Sequence, residues 1–149
     1  MKWWIWSLAV LALVWSPKAG VDVGKLQPVQ VICLQEKDGQ ISIRTDVGAW
    51  GMGTDVRQAL EALHEGADGV VALDTAEYLV VDTEASSLIM GLGEQLRPSC
   101  MVCAGDVDPE TVGAYLEAHP PKITMARYRA GEQALQRLEN RDGRLELVS

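Results

Sequence analysis

Apolar residues along this chain recur in blocks of three kinds. Trp3 to Trp15 is apolar apart from Ser7, a run of 13 residues behind Met1-Lys2, and Ser16 to Gly20 breaks it. Further on the blocks are short. Pro28 to Gln35 reads as a strand, and Ile41, Ile43 and Thr45 then alternate with Ser42, Arg44 and Asp46. A period of two marks a half-buried strand. The Asp38-Gly39 pair between the two segments predicts a tight hairpin turn. Val56, Leu60 and Leu63 fall at helical spacing behind Thr54 and Asp55, which suit a helix start, and that helix ends near Gly66.

The remaining blocks alternate between the two periods. Val70 to Leu73 and Tyr78 to Val81 read as strands. A second helix is expected from Asp82 or Thr83 through Leu88, Ile89, Leu92 and Leu96, with Pro98 blocking its continuation. Ser99 to Ala104 is a buried strand. Asp108-Pro109 caps a third helix that runs to Ala118, where His119-Pro120-Pro121 stops it. Helix propensity is high over 124–139, although Gly131 weakens it. Asp142-Gly143 then turns the chain into a last strand, Arg144 to Val148. A hairpin followed by irregular alternation predicts an α+β fold. It would be a single mixed β-sheet with three to four helices after an N-terminal apolar leader helix.

The first block sets the expected organisation. A charged start, an apolar core and a break are the layout of a secretory signal peptide. Thirteen residues are short for a spanning helix, which needs about 20. The cleavage signal is weak: a cut after Gly20 puts Lys18, and a cut after Ala19 puts Pro17, where a small residue is preferred. Four of the five tryptophans lie in this run, and tryptophan favours the membrane interface. The expectation is a signal peptide or short membrane anchor over residues 1–20, a linker over 21–27 and one domain over 28–149, on the extracytoplasmic side.

Charge narrows the classes of partner. The chain carries 13 Lys+Arg and 21 Asp+Glu, for a net charge of −8. That excludes electrostatic wrapping of nucleic acid, which requires a basic face. The expected partner is a protein, with membrane contact through the N-terminal segment if it stays uncut.

Few residues offer chemistry. Cys100-Met101-Val102-Cys103 has the C-x-x-C spacing of thiol oxidoreductases, whose first cysteine sits at a helix N-terminus. Here the pair lies in a strand-like run, where residues i and i+3 point to opposite faces. Two buried core residues are the favoured reading, and an extracytoplasmic thiol-disulfide oxidoreductase using Cys100 and Cys103 is the alternative. Cys33, Cys100, Cys103, His64 and His119 do not form a zinc pattern. Both histidines fall at predicted helix ends, where cations are favoured. Gly51-Met52-Gly53 lacks the further residues of a phosphate cradle and reads as a tight turn. No metal or cofactor is expected. The polar stretch Asp74 to Tyr78 reads as a solvated turn, the alternative being paired carboxylates that do acid/base work or hold a hard cation. Trp50, on the glycine-rich loop, is a lid over the core or an exposed contact residue. Trp50, Asp74, Glu77 and Tyr78 are therefore the candidate contact surface.

The order of several short motifs carries a resemblance. These are the strand at Val29–Leu34, Lys37-Asp38-Gly39, Ile41-Ser42-Ile43, and Gly51-Met52-Gly53-Thr54-Asp55-Val56 opening a helix with Ala59-Leu60. They continue with the strand at Tyr78–Val81, Leu96-Arg97 before Cys100–Cys103, and Ala104-Gly105 before a helix. This order, over roughly 28–118, resembles the N-terminal domain of Ger(x)C-type spore germinant receptor subunits of endospore-forming bacteria. The resemblance implies a lipoprotein outside the inner spore membrane, without a catalytic site. The lipobox cysteine has no counterpart here, since the first cysteine is Cys33. The family also continues into further domains, so a stand-alone or truncated relative is expected. The function expected from all of this is non-enzymatic: protein binding or scaffolding, associated with sporulation or germination.

Overall fold

Asp38 and Gly39 both adopt positive φ, 53° and 76°, and close a two-residue hairpin between Lys37 and Gln40. That turn fixes the register of the sheet in the computed structural model of the protein, which describes residues 26–149. The leader expected over 1–20, and 21–25 of the linker, lie outside the described residues. Leu26 and Gln27, expected in the linker, belong instead to a strand, β1 (Leu26–Pro28).

The hairpin is β2 (Val31–Lys37) and β3 (Gln40–Thr45). β4 (Trp50–Gly53) pairs with β3, so the expected loop is a strand. α1 (Val56–Gly66) follows, capped by the Asp55 carboxylate, which accepts from Gln58 N at 2.8 Å. The Thr54 hydroxyl instead donates to Gln58 Oε1. β5 (Val70–Ala72) pairs in parallel with β1 as a separate two-stranded sheet. β6 (Tyr78–Val81) and β7 (Met101–Ala104) extend the main sheet in parallel with β2.

The second and last expected helices are shortened. Thr83–Leu88 is a 3-10 segment that leads into one α-turn, α2 (Ile89–Leu92). Gly91 and Gly93 stand within or beside that turn, and glycine disfavours continuation of a helix. α3 (Pro109–Ala118) is as expected, with Asp108 accepting from Glu110 N. β8 (Ile123–Thr124) pairs with β7. The helix over 124–139 is confined to α4 (Met125–Arg129), because Gly131 takes φ +111° and turns the chain out of it. β9 (Arg137–Arg141) and β10 (Arg144–Val148) then form a hairpin closed at Asp142-Gly143.

The main sheet is mixed and eight-stranded, in the order β10-β9-β7-β6-β2-β3-β4 with β8 beside β7. Among the described residues, the fold is α+β with one main mixed sheet and four helices. Two cores lie on its two faces. Ile32, Leu34, Ile41, Ile43, Leu79 and Val102 pack with α1, α2 and α4 on one face. Val31, Cys33, Val80 and Cys103 pack with Val112 and Leu116 of α3 on the other. Full burial of each such aliphatic side chain stabilises by roughly 1.5–3 kcal/mol. Two polar groups tie the start of β2 to its neighbours. Asp46 Oδ1 accepts from Gln30 N and Val31 N, and Thr75 Oγ1 accepts from Val29 N.

Candidate functional site

β4 begins at the end of the sheet where the parallel strands also begin, because Trp50 stands opposite Arg44 and Ile32 opposite Thr45. Its four residues alternate large and glycine. Gly51 and Gly53 face α1, and a side chain on either would overlap the backbone of the helix around Gln58 and Ala59. Trp50 and Met52 therefore point to the opposite face. No helix covers them there: Trp50 is 60% exposed and Met52 is also exposed. Trp50 is thus an exposed residue and not a lid over the core. A shallow groove of about 500 Å³ runs beside it, between Ala49, Trp50, Gly51 and Met52 on one side and Ala62 and Gly66 of α1 on the other.

Other candidate residues fall nearby without meeting Trp50. Asp74 and Glu77 are exposed at the same end of the sheet, on the connection from β5 to β6. β2 and β3 stand between β6 and β4, so three strand spacings of about 4.8 Å separate them by roughly 14 Å. Tyr78 is a correction to the expected surface. It is only 6% exposed and packs in the α3-side core. Burial raises the pKa of its hydroxyl, with further contributions from Glu77 and Glu117.

Sequence reasoning did not single out the apolar companions of Trp50. Leu26, Val47 and Val70 are also exposed. Val47 lies in the turn between β3 and β4, just ahead of Trp50, whereas Leu26 and Val70 are paired across β1 and β5 in the separate small sheet. The alternation of large residues with glycine over 50–53 was the available signal for a strand with one face pressed on a helix.

The cysteines occupy both cores. Cys100, immediately before β7, lies in the α1-side core and Cys103 of β7 in the α3-side core, on opposite faces of the sheet. Cys33, Cys100 and Cys103 are all free and buried. Burial pushes each thiol up to about 12, opposed at Cys33 by Arg44 and at Cys100 by Arg97. A thiol oxidoreductase needs the reverse, a lowered pKa and two sulfurs within reach. Cys33 and Cys103 share a face, but Val80 stands between them in the same row.

His64 lies in the last turn of α1 and His119 caps α3, where its ring stacks on Tyr115 at 4.7 Å. Among the described residues, no group of three or more His, Cys, Asp or Glu side chains is placed to hold a metal ion. Among the same residues, no helix is long and apolar enough to cross a membrane. No protein-family model matches the chain, and no curated protein or solved structure matches it.

Proposed function

We propose that this is a non-enzymatic domain, exported or held at a membrane by its N-terminal segment, that works by binding a protein partner. The observation that carries the reading is the uncovered outer face of the edge strand β4, where Trp50 is 60% exposed and Met52 is exposed beside it, with exposed Val47 in the turn that precedes them. Large exposed aromatic residues with apolar neighbours are the usual anchors of protein contacts. The chain enters the domain at Leu26, behind the apolar run of residues 3–15. The biological setting, sporulation or germination of an endospore-forming bacterium, rests on the motif order resembling germinant receptor subunits.

Photo-crosslinking tests the reading. A photo-reactive phenylalanine analogue replaces Trp50 in the full chain, which is produced in an endospore-forming host. One defined envelope protein should be captured, and intact-mass analysis of the membrane and soluble fractions should find the chain outside the cytoplasm. Absence of any specific adduct from position 50, or a cytoplasmic chain, would remove the reading.

A further inference from the structure

We infer that the open edge of β4 is a strand-addition site for an extended, cationic segment of a protein partner, alternating basic and apolar residues. The inference rests on the protein-binding reading and adds the geometry and chemistry of the partner.

The backbone register sets which groups are free. Thr45 N donates to Ala49 O at 3.0 Å, so this opposed pair is of the hydrogen-bonded kind. Such pairs alternate along an antiparallel ladder. Ile43 with Gly51 and Ile41 with Gly53 are then the next bonded pairs, and the two-residue hairpin at Lys37 and Gln40 agrees with that phase on the other side of β3. The N–H and C=O groups of Trp50 and Met52 consequently point away from β3. β4 is the last strand of the sheet, and among the described residues nothing pairs with that side. Unpaired edge groups of this kind are a template for another strand.

The surroundings of the edge fit a strand as occupant. α1 closes one side of the groove with Ala62 and Gly66, small enough to admit an approaching chain. On the other face Trp50 and Met52 offer apolar and aromatic contact to alternate side chains of the incoming strand. An added strand would therefore meet a bare helix flank on one face and a tryptophan on the other.

Charge selects the partner. Residues 31–96, which include β3, β4 and α1, hold three cations (Lys37, Arg44 and Arg57) against twelve Asp and Glu. Residues 97–149 hold seven against eight. The negative charge of the domain therefore belongs to the half that carries the open edge. Asp55 follows β4, Glu65 precedes Gly66, and Glu110 Oε1 approaches Gly48. Two cations stand beside the edge, Arg44 opposite Trp50, which donates to the Val107 carbonyl oxygen, and Arg57 in the first turn of α1, so acidic groups still outnumber them in this half. A second copy, edge to edge, would bring two such acidic halves together, whereas a basic strand is attracted.

The test uses the full chain and two fluorescent hexapeptides, one alternating Lys and Val and the other Glu and Val. Fluorescence anisotropy measures binding, and hydrogen exchange reports the amides of residues 50 and 52. The Lys-Val peptide should bind at least about tenfold tighter than the Glu-Val peptide, weaken as salt is raised, and protect those two amides. Met52→Pro removes an outward N–H while sparing the bonds to β3, and should weaken binding about tenfold. Met52→Lys keeps the N–H and adds repulsion, and should also weaken it. Equal affinity for the two peptides, or no binding up to about 1 mM, would overturn the proposal. So would protection of the same amides by self-association in sedimentation runs without peptide. Lys-Val binding that survives Met52→Pro overturns strand addition alone. An adduct captured from position 50 together with failure of both peptides would have the same effect, and the protein-binding reading would stand.

Discussion

A Cβ placed on Gly51 would overlap the carbonyl oxygen of Ala59, because β4 passes immediately beneath the backbone of α1. The edge of the sheet and the helix that covers it are thus in backbone contact. No side chain between them can rearrange to make room.

Gly51→Ala should therefore lower stability by roughly 3 kcal/mol or more, since overpacking against backbone has no flexible neighbour to relieve it. Gly66→Ala, where a Cβ meets nothing within 4 Å, should be neutral or slightly stabilising. Urea denaturation of the two variants beside the parent checks both. Equal midpoints for Gly51→Ala and the parent would contradict the packing described.

Trp50→Ala should separate stability from binding. With the side chain 60% exposed, the substitution should change stability by no more than about 0.5 kcal/mol. Affinity for the partner captured from this position should fall at least about tenfold, as for an aromatic anchor. A large drop in melting temperature would show that the indole belongs to the core.

The three thiols should be silent toward a thiol reagent such as dithionitrobenzoate in the native state and react fully in denaturant. Each is raised by burial from 9.0 to about 12. The folded protein then holds protons that the unfolded chain releases above pH 9. Their contribution is intact below that pH and is lost as pH rises toward 12. Stability under reducing conditions should fall between about pH 8 and about pH 10 by roughly 1 kcal/mol per thiol. The slope should lessen in Cys33→Ala, and an unchanged slope would place the titration elsewhere.

Asp46→Ala should cost about 1–3 kcal/mol, because the backbone N–H groups of Gln30 and Val31 lose a charged acceptor at the start of β2. Asp46→Asn keeps an acceptor oxygen and should recover part of the loss. Chemical denaturation of the pair decides whether the carboxylate or the geometry matters more.

Local signals are legible in the sequence where a turn or cap has its own chemistry. Asp38-Gly39, Asp108-Pro109 and Asp142-Gly143 each required only neighbouring residues to act, and each forms as expected. The errors fall where tertiary pairing outweighs propensity. Residues 50–53 hold two glycines and read as a loop, yet pairing with β3 and the close approach of α1 make them a strand. Residues 130–139 favour a helix, but Gly131 ends it and Arg137 pairs with Ala104 of β7. Of the candidate surface, the exposure of Trp50 was not legible, since it depends on which face of β4 α1 occupies. The burial of Tyr78 was hidden for a similar reason, because α3 and the last hairpin close over β6 from distant sequence.

The small sheet of β1 and β5 has a mechanical consequence. Leu26, Gln27 and Pro28 lie in parallel register with Val70, Val71 and Ala72. A pull on the chain from its N-terminal side runs along β1 and loads the interstrand bonds in shear, together, instead of peeling them apart one by one. Force would reach the Asp46 and Thr75 bonds at the start of β2 only after this clasp slips. Any tension applied from the N-terminal side would thus load this clasp before it loads the main sheet.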